Sequence, residues 1–272
     1  MTIEGWSAEA FNQVPDSQNE IHGDRVSKLY GFEGGLVPGV TVSAYLLHPG
    51  VVAWGRDFLD RGRSHVRVIS PLYDGERFEV SVADVVADSY RAELRRPGDV
   101  LCATAEVSLP DAPPPAPLRR GDPVEEETWQ GPAATREHWA ELQANGCRAL
   151  RFRWDHTHRM ARYLRAEVEG IPELLTGEAP FANTAYVLGV SNWVLAVNGY
   201  MNPWVHLETT AQHFRAIATG TTLVAEMAVA DFFERKGHQF VDVTVTLFDE
   251  AEADNAALAS IDLRAIYRLR GM

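Results

Sequence analysis

The chain has 272 residues, 46% hydrophobic and 23% charged, enough apolar material for a large core and too much charge for a membrane protein. Its 25 basic and 38 acidic residues leave a net charge of −13, which repels phosphate backbones and argues against nucleic acid as a partner. No run approaches the roughly 18 consecutive apolar residues of a spanning helix, and Met1 to Asp16 carries Glu4, Glu9 and Asp16 without a basic stretch. No secretory signal and no membrane contact are expected, and the two cysteines, Cys102 and Cys147, suit a reducing cytoplasm.

The first informative segment is Asp16–Tyr45, DSQNEIHGDRVSKLYGFEGGLVPGVTVSAY. Asn19 and His22 are three apart, so both can face one side of a turn. Asp24 follows, then a short amphipathic helix carrying Val26, Leu29 and Tyr30. The glycine-rich loop Gly31–Gly35 leads into an apolar helix predicted over Val37–Leu47. It is not a phosphate loop, because the Lys-Ser/Thr ending is absent. Pro38 suits the first helical turn, and Gly39 would let a ligand approach the unpaired N–H groups there. A histidine beside such donors suits acid–base work on a carbonyl compound.

Strands are predicted near Ser64–Ser70, Arg77–Val86 and Val100–Leu109. The proline-rich stretch Pro110–Pro123 then reads as a linker. Glu125–Glu127 is a solvated charge run. His156 and His158, beside Asp155, lack the third ligand that tight metal binding needs. A second apolar helix spans Ala182–Asn192, and strands follow near Thr210–Ala216, Thr222–Phe233, His238–Asp249 and Leu258–Leu269. His206 and Glu208 are placed on one face of a strand, and Trp193 and Trp204 in the core or a pocket wall. Arg61 and Arg63 could meet a phosphate-bearing carrier.

The two parts repeat one another. The strand–turn–strand patterns around Gly75 and Gly220 lie 145 positions apart, and the same offset relates the two apolar helices. Helices segregated from antiparallel strands give an α+β fold.

Asn19, Ile21, His22 and Asp24, with Gly31-Phe32 and Pro38-Gly39, match the spacing of a known motif. The segment resembles the MaoC-like hydratase/dehydratase branch of the hotdog superfamily. That resemblance implies a tandem (double) hotdog, each half a central helix wrapped by an antiparallel sheet, with a ligand tunnel at the pseudo-twofold interface. The halves would be 1–109, carrying the Asn-x-x-His motif, and 124–272, joined by the linker 110–123. The family's catalytic aspartate, five residues before the histidine, is replaced by Ser17, and its proline by Glu20.

The resemblance implies an enoyl-thioester hydratase or 3-hydroxyacyl-thioester dehydratase acting on acyl-CoA or an acyl carrier protein thioester. No metal or other cofactor is implied, and free sheet edges leave room for a homodimer. His22 would be the general acid/base and Asn19 would orient it or the substrate carbonyl. Asp16, Asp24 or Glu20 would stand in for the missing aspartate. The Gly39 N–H would bind the thioester oxygen, with Ser17, Tyr45, Asn183 and His206 as substrate-binding residues. The active half would be the first. A thioesterase, using Asn183, Asn192 or Asn198 with His206, or a catalytically altered acyl-binding protein, are the alternatives.

Overall fold

Periodicity and punctuation place the elements. In the computed structural model, which describes residues 2–126, 128–165, 170–252 and 256–271, strand β1 (Trp6–Glu9) precedes helices α1 (Asp24–Leu29), α2 (Gly39–Trp54) and α3 (Arg56–Arg61). Strands β2 (Arg63–Val68), β3 (Arg77–Val86), β4 (Ser89–Arg96) and β5 (Val100–Ser108) complete the first half. The second half holds β6 (Val124–Glu125), α4 (Arg136–Asn145), β7 (Ala149–Arg153), α5 (Thr184–Asn198), β8 (Val205–His213), β9 (Thr222–Arg235), β10 (His238–Asp249) and β11 (Ala257–Arg268). No helix among the described residues is long and apolar enough to cross a membrane. The expected charge run ends at Glu127, outside the described residues.

The eleven strands of the described residues form one sheet, in the order β1-β3-β4-β5-β2-β8-β11-β10-β9-β7-β6. Reading outward from the β2–β8 seam, β5, β4, β3 and β1 mirror β11, β10, β9 and β7. Helices α2 and α5 begin 145 positions apart, as do β3 and β9, so the offset seen in the sequence is structural. At the seam His65 pairs with Thr210, Arg63 with Gln212 and Arg67 with Glu208. His65 thus meets its own counterpart, and the pseudo-twofold axis passes there.

Both central helices are apolar all round because each is enclosed. Helix α2 packs on β5, β2, β4 and β8, and α5 on β9, β11, β10 and β7; the two helices also touch each other. Pro49 inside α2 removes one donor from the helical ladder. The loss is absorbed locally. The Tyr45 carbonyl accepts from Trp6 Nε1 at 2.9 Å, while the Tyr90 hydroxyl donates to the Leu46 carbonyl (2.9 Å) and accepts from the Gly50 N–H (3.0 Å).

Four strands escape the sequence patterns, among them the two-residue β6. In β4, SYRAELRR, only Tyr90, Ala92 and Leu94 turn inward between charged neighbours. Strands β1 and β7 are four and five residues long. Segment 110–123 is fastened to the second half. Leu118 bridges Ala256, and the N–H groups of Arg120, Gly121 and Asp122 donate to the buried Glu226 carboxylate at 2.7–2.9 Å.

Candidate functional site

His22 ends a single 3-10 turn, Glu20–His22, which is clamped from several sides. Its carbonyl accepts from Asn12 Nδ2 (2.9 Å), and the Ile21 carbonyl accepts from the Leu36 N–H (3.1 Å). Gly35 passes so close beneath that a Cβ there would lie 2.2 Å from the His22 carbonyl oxygen, which is why the loop needs glycine. The Nδ1–H of His22 donates to the Leu36 carbonyl at 2.7 Å. That bond fixes the tautomer and leaves Nε2 as a lone-pair base without a protein partner among the described residues. Burial, reinforced by the charge of Arg159 and only partly countered by the Leu36 bond, lowers its pKa to about 4. At neutral pH the ring is an uncharged base.

Two cavities meet at this histidine. One, of about 290 Å³, lies along α5; the other, of about 240 Å³, lies along the opposite side of the start of α2. Asn19, His22, Asn192 and Trp204 line both, so the cavities form two arms of one site. The first turn of α2 divides them: Pro38 and Val40 face the first arm, Gly39 and Val42 the second. The N–H groups of Gly39 and Val40 find no acceptor among the described residues, as expected at a helix start.

Asn192, on α5, and His206, on β8, are contributed by the second half. His206 Nδ1–H donates to Asn192 Oδ1 at 2.9 Å, and His206 Nε2 accepts from the Thr209 hydroxyl at 2.6 Å. Burial and the neighbouring His22 lower the His206 pKa to about 3, so this ring is neutral and fully engaged. The bond to His206 takes Asn192 Oδ1; its Nδ2 has no partner among the described residues. A base from one half and an amide donor from the other therefore share the junction. The second half thus brings polar side chains to the junction as well as apolar wall.

Several expected site residues are engaged elsewhere. Both ends of the Asn19 amide bind the Trp204 backbone (3.0 and 3.1 Å), so Asn19 ties the halves together and does not orient His22. Asp16 is exposed and pairs with Arg159 at 3.4 Å. Asp24 accepts from the Gly35 N–H (2.8 Å) and pairs with Lys28, which holds its pKa below the usual carboxylate range. Glu20 binds Arg25 and Asn202. Among the described residues no Asp or Glu lines either arm, so Asp16, Asp24 and Glu20 do not stand where the missing aspartate would.

Asn183 caps α5, accepting from the Tyr186 N–H and donating to the Met160 and Ala161 carbonyls; it is fully buried and saturated, a structural cap. Asn198 is likewise buried, bonded to Arg148 and Val194. Tyr45 stacks on Phe78 with ring centroids 4.2 Å apart and accepts from the Phe11 N–H, away from both arms. Ser17 does line the first arm. Gly39 lines the second, but its missing side chain makes room for the His206 ring. Glu208 turns outward to His65 (2.6 Å) and Arg67 (2.9 Å) while His206 turns inward, because a bulge opposite Arg264/Ala265 breaks the alternation. Among the described residues no cluster of His, Cys, Asp and Glu could hold a metal ion. Of the three asparagines weighed for the thioesterase reading, Asn192 is the one that lines the junction.

The sequence matches no family model and no curated protein. Solved structures do match over nearly the whole chain. A candidate thioesterase from Novosphingobium aromaticivorans is 13% identical, with 99% of this chain and 97% of that chain covered at a TM-score of 0.56. A conserved hypothetical protein of Mycobacterium tuberculosis, described as a double hotdog, is 12% identical over 97% and 96%, at 0.57. A MaoC-like dehydratase is 10% identical over 96% and 98%, at 0.52. With the mirrored eleven-stranded sheet and its two enclosed helices, these likenesses show that the chain is a double hotdog, the fold it shares with MaoC-like dehydratases.

Proposed function

We propose that this chain processes acyl thioesters, and that its reaction is hydration of a 2-enoyl thioester or the reverse dehydration. The observation that carries the reading is the free, neutral Nε2 of His22 at the meeting of two arms, beside the unpaired Nδ2 of Asn192. A thioester has two arms of its own, and its reactive centre belongs where the cavities join. In the forward direction His22 Nε2 takes a proton from water as its oxygen bonds Cβ. The C=C electrons move to the thioester oxygen, where Asn192 Nδ2–H and the free N–H groups of α2 stabilise the enolate. Nε2–H then returns the proton to Cα. One base serves both transfers, so the lack of a carboxylate is no obstacle.

The same lack favours a second reading, thioester hydrolysis, in which His22 Nε2 takes a proton from water as its oxygen bonds the carbonyl carbon. The C–S bond then breaks, and the sulfur leaves as the thiol with that proton while the acyl chain is released as its acid. Incubation with crotonyl-CoA, followed for both enoyl absorbance and free thiol, separates the two. Loss of enoyl absorbance without thiol supports hydration; thiol release supports hydrolysis. Absence of both, with His22 intact, overturns the proposal.

A further inference from the structure

Asn192 can serve a substrate oxygen only if the NH₂ end of its amide faces the junction. The two ends of an amide are nearly the same size, so the hydrogens of its neighbours decide which one does. The one side chain bonded to this amide among the described residues is His206, whose Nδ1 could accept from Nδ2 as readily as donate to Oδ1. The choice belongs to the tautomer of His206, and the tautomer is set from the other ring nitrogen.

That nitrogen, Nε2, lies 2.6 Å from the Thr209 hydroxyl. Regular alternation would put residues three apart on opposite faces of a strand. In β8 the bulge passes over Leu207, so that Glu208 pairs with Arg264 and His206 with Ala265. His206 and Thr209 therefore both turn inward and are buried. Thr209 sits in register between Val66 and Leu263, and its hydroxyl has no other hydrogen-bond partner among the described residues. A hydroxyl can donate or accept. If Thr209 accepted from Nε2–H, its own proton would be stranded among apolar neighbours, and a buried donor without a partner is costly. Donation to Nε2 avoids that cost. The ring proton then sits on Nδ1, Asn192 Oδ1 receives it, and Nδ2 is turned to the junction. Gly39, against the Cδ2 edge of the ring, holds His206 in this seat. Three donors run in one direction, from Thr209 to His206 to Asn192, and each polarises the next.

Resting on the proposed thioester chemistry, in either reaction, we infer that Thr209 is a positioning residue: through the tautomer of His206 it sets the polarity of the Asn192 amide, so that the site presents a donor to the thioester oxygen. Thr209 itself lines neither arm and does not meet the substrate. The bond from Asn192 strengthens as charge develops on that oxygen, so disturbing its polarity falls on kcat more than on KM.

The test has two readouts. In nitrogen NMR of protein with labelled histidine, the His206 signals, assigned by their absence from His206→Gln, should show Nδ1 protonated and Nε2 bare in the wild type. Thr209→Val, which keeps the shape and removes the hydroxyl, should populate the Nε2–H form, and Thr209→Ser should not. The second readout is turnover of crotonyl-CoA, followed for both enoyl loss and free thiol. Thr209→Val should lower kcat about tenfold, less than the 10²–10³-fold that follows outright loss of an oxyanion donor, with KM nearly unchanged. Thr209→Ser should recover the wild-type rate. Added to Asn192→Ala, Thr209→Val should change kcat by less than about twofold, because the amide it orients is gone. A threonine that only supports the fold would cost the same factor in both backgrounds, and thermal melting shows any such loss. That equal factor overturns the inference. So does an Nε2–H tautomer in the wild type, or an unmoved Nδ1–H tautomer in Thr209→Val, whatever the turnover. The wild-type tautomer decides even if Thr209→Val does not fold. The expected tautomer shift without turnover of the ester would uphold the role of Thr209 and overturn the proposed reaction.

Discussion

Gly39 at the start of α2 lies against the imidazole of His206, so closely that a Cβ would sit 2.8 Å from its Cδ2. The contact joins the two halves at the site, and it explains why this position is glycine. In Gly39→Ala the ring must move, and with it the bond to Asn192. Overpacking costs about 1–3 kcal/mol, offset by up to about 1 kcal/mol from the lower chain entropy of alanine. We expect a net loss of about 1–2 kcal/mol in denaturant unfolding together with reduced turnover. A variant with unchanged stability and rate would show that the His206 position is immaterial.

His22 should set the rate. Removing a general acid–base group costs about 10²–10⁴-fold, so His22→Ala should lose that much with little change in melting temperature. The pH profile is the sharper test. An unperturbed histidine, with a pKa near 6.5, would halve the rate of a base-dependent step close to that pH. Burial brings His22 to about 4, so it is already deprotonated well below neutrality, and the rate should stay flat from about pH 6 to 8. A midpoint near 6.5 would assign the titration to another group.

Asn192 supplies the second half's share. Asn192→Ala removes both the Nδ2 donor and the acceptor of His206 Nδ1. Loss of one oxyanion donor costs about 10²–10³-fold in kcat. Asn183→Ala, by contrast, removes a helix cap that touches no arm and should lower stability by about 1–2 kcal/mol, with kcat retained at temperatures where the protein is folded. If the two variants exchanged phenotypes, the working asparagine would be Asn183.

Much of this was legible beforehand, and the reasons it stopped are physical. The 145-residue offset, the two apolar helices and the long strands β9, β10 and β11 are periodic signals strong enough to survive without tertiary information. Strand β4 carries only three inward residues, one an alanine, and reads as a charged loop. At the site, the spacing Asn19–His22 picks out the histidine that lies at the junction of the two arms, but local sequence does not show that Asn19 spends its amide on Trp204, 185 positions away. Nor could alternation place His206, because one bulge reverses the faces of His206 and Glu208.

Acid should unfold the protein early. His22, His48 and His213 have pKa values lowered to about 4 and His206 to about 3, all chiefly by burial. In the unfolded chain each titrates near 6.5. Above that pH neither state is protonated and the buried rings incur no penalty. As pH falls from about 6.5 toward 4, the unfolded chain takes up protons that the folded one does not. Each ring then withdraws up to about 1.4 kcal/mol per pH unit. Unfolding free energy by urea should therefore drop steeply between pH 6 and 4, and His48→Gln should soften the slope. A flat profile to pH 4.5 would mean that these rings are protonated in the fold.

The last prediction concerns the connection between the halves. Glu226 is wholly buried, yet its carboxylate accepts three backbone N–H groups from Arg120, Gly121 and Asp122 and lies within 3.7–3.8 Å of the Arg119 and Arg120 guanidinium groups. Strand β9 thereby holds the end of the proline-rich segment, which otherwise has few donors of its own to offer. Glu226→Ala strands those N–H groups and leaves two arginines facing an emptied space. Breaking such a buried network by removing one partner costs about 3–5 kcal/mol. Segment 110–123 should then detach first, so brief proteolysis should cut there at native temperature while the wild type resists. Catalysis depends on this latch only through the packing of β9, so the uncut variant should retain turnover. Resistance of the variant to cleavage, with wild-type stability, would show that the segment is held by its other contacts.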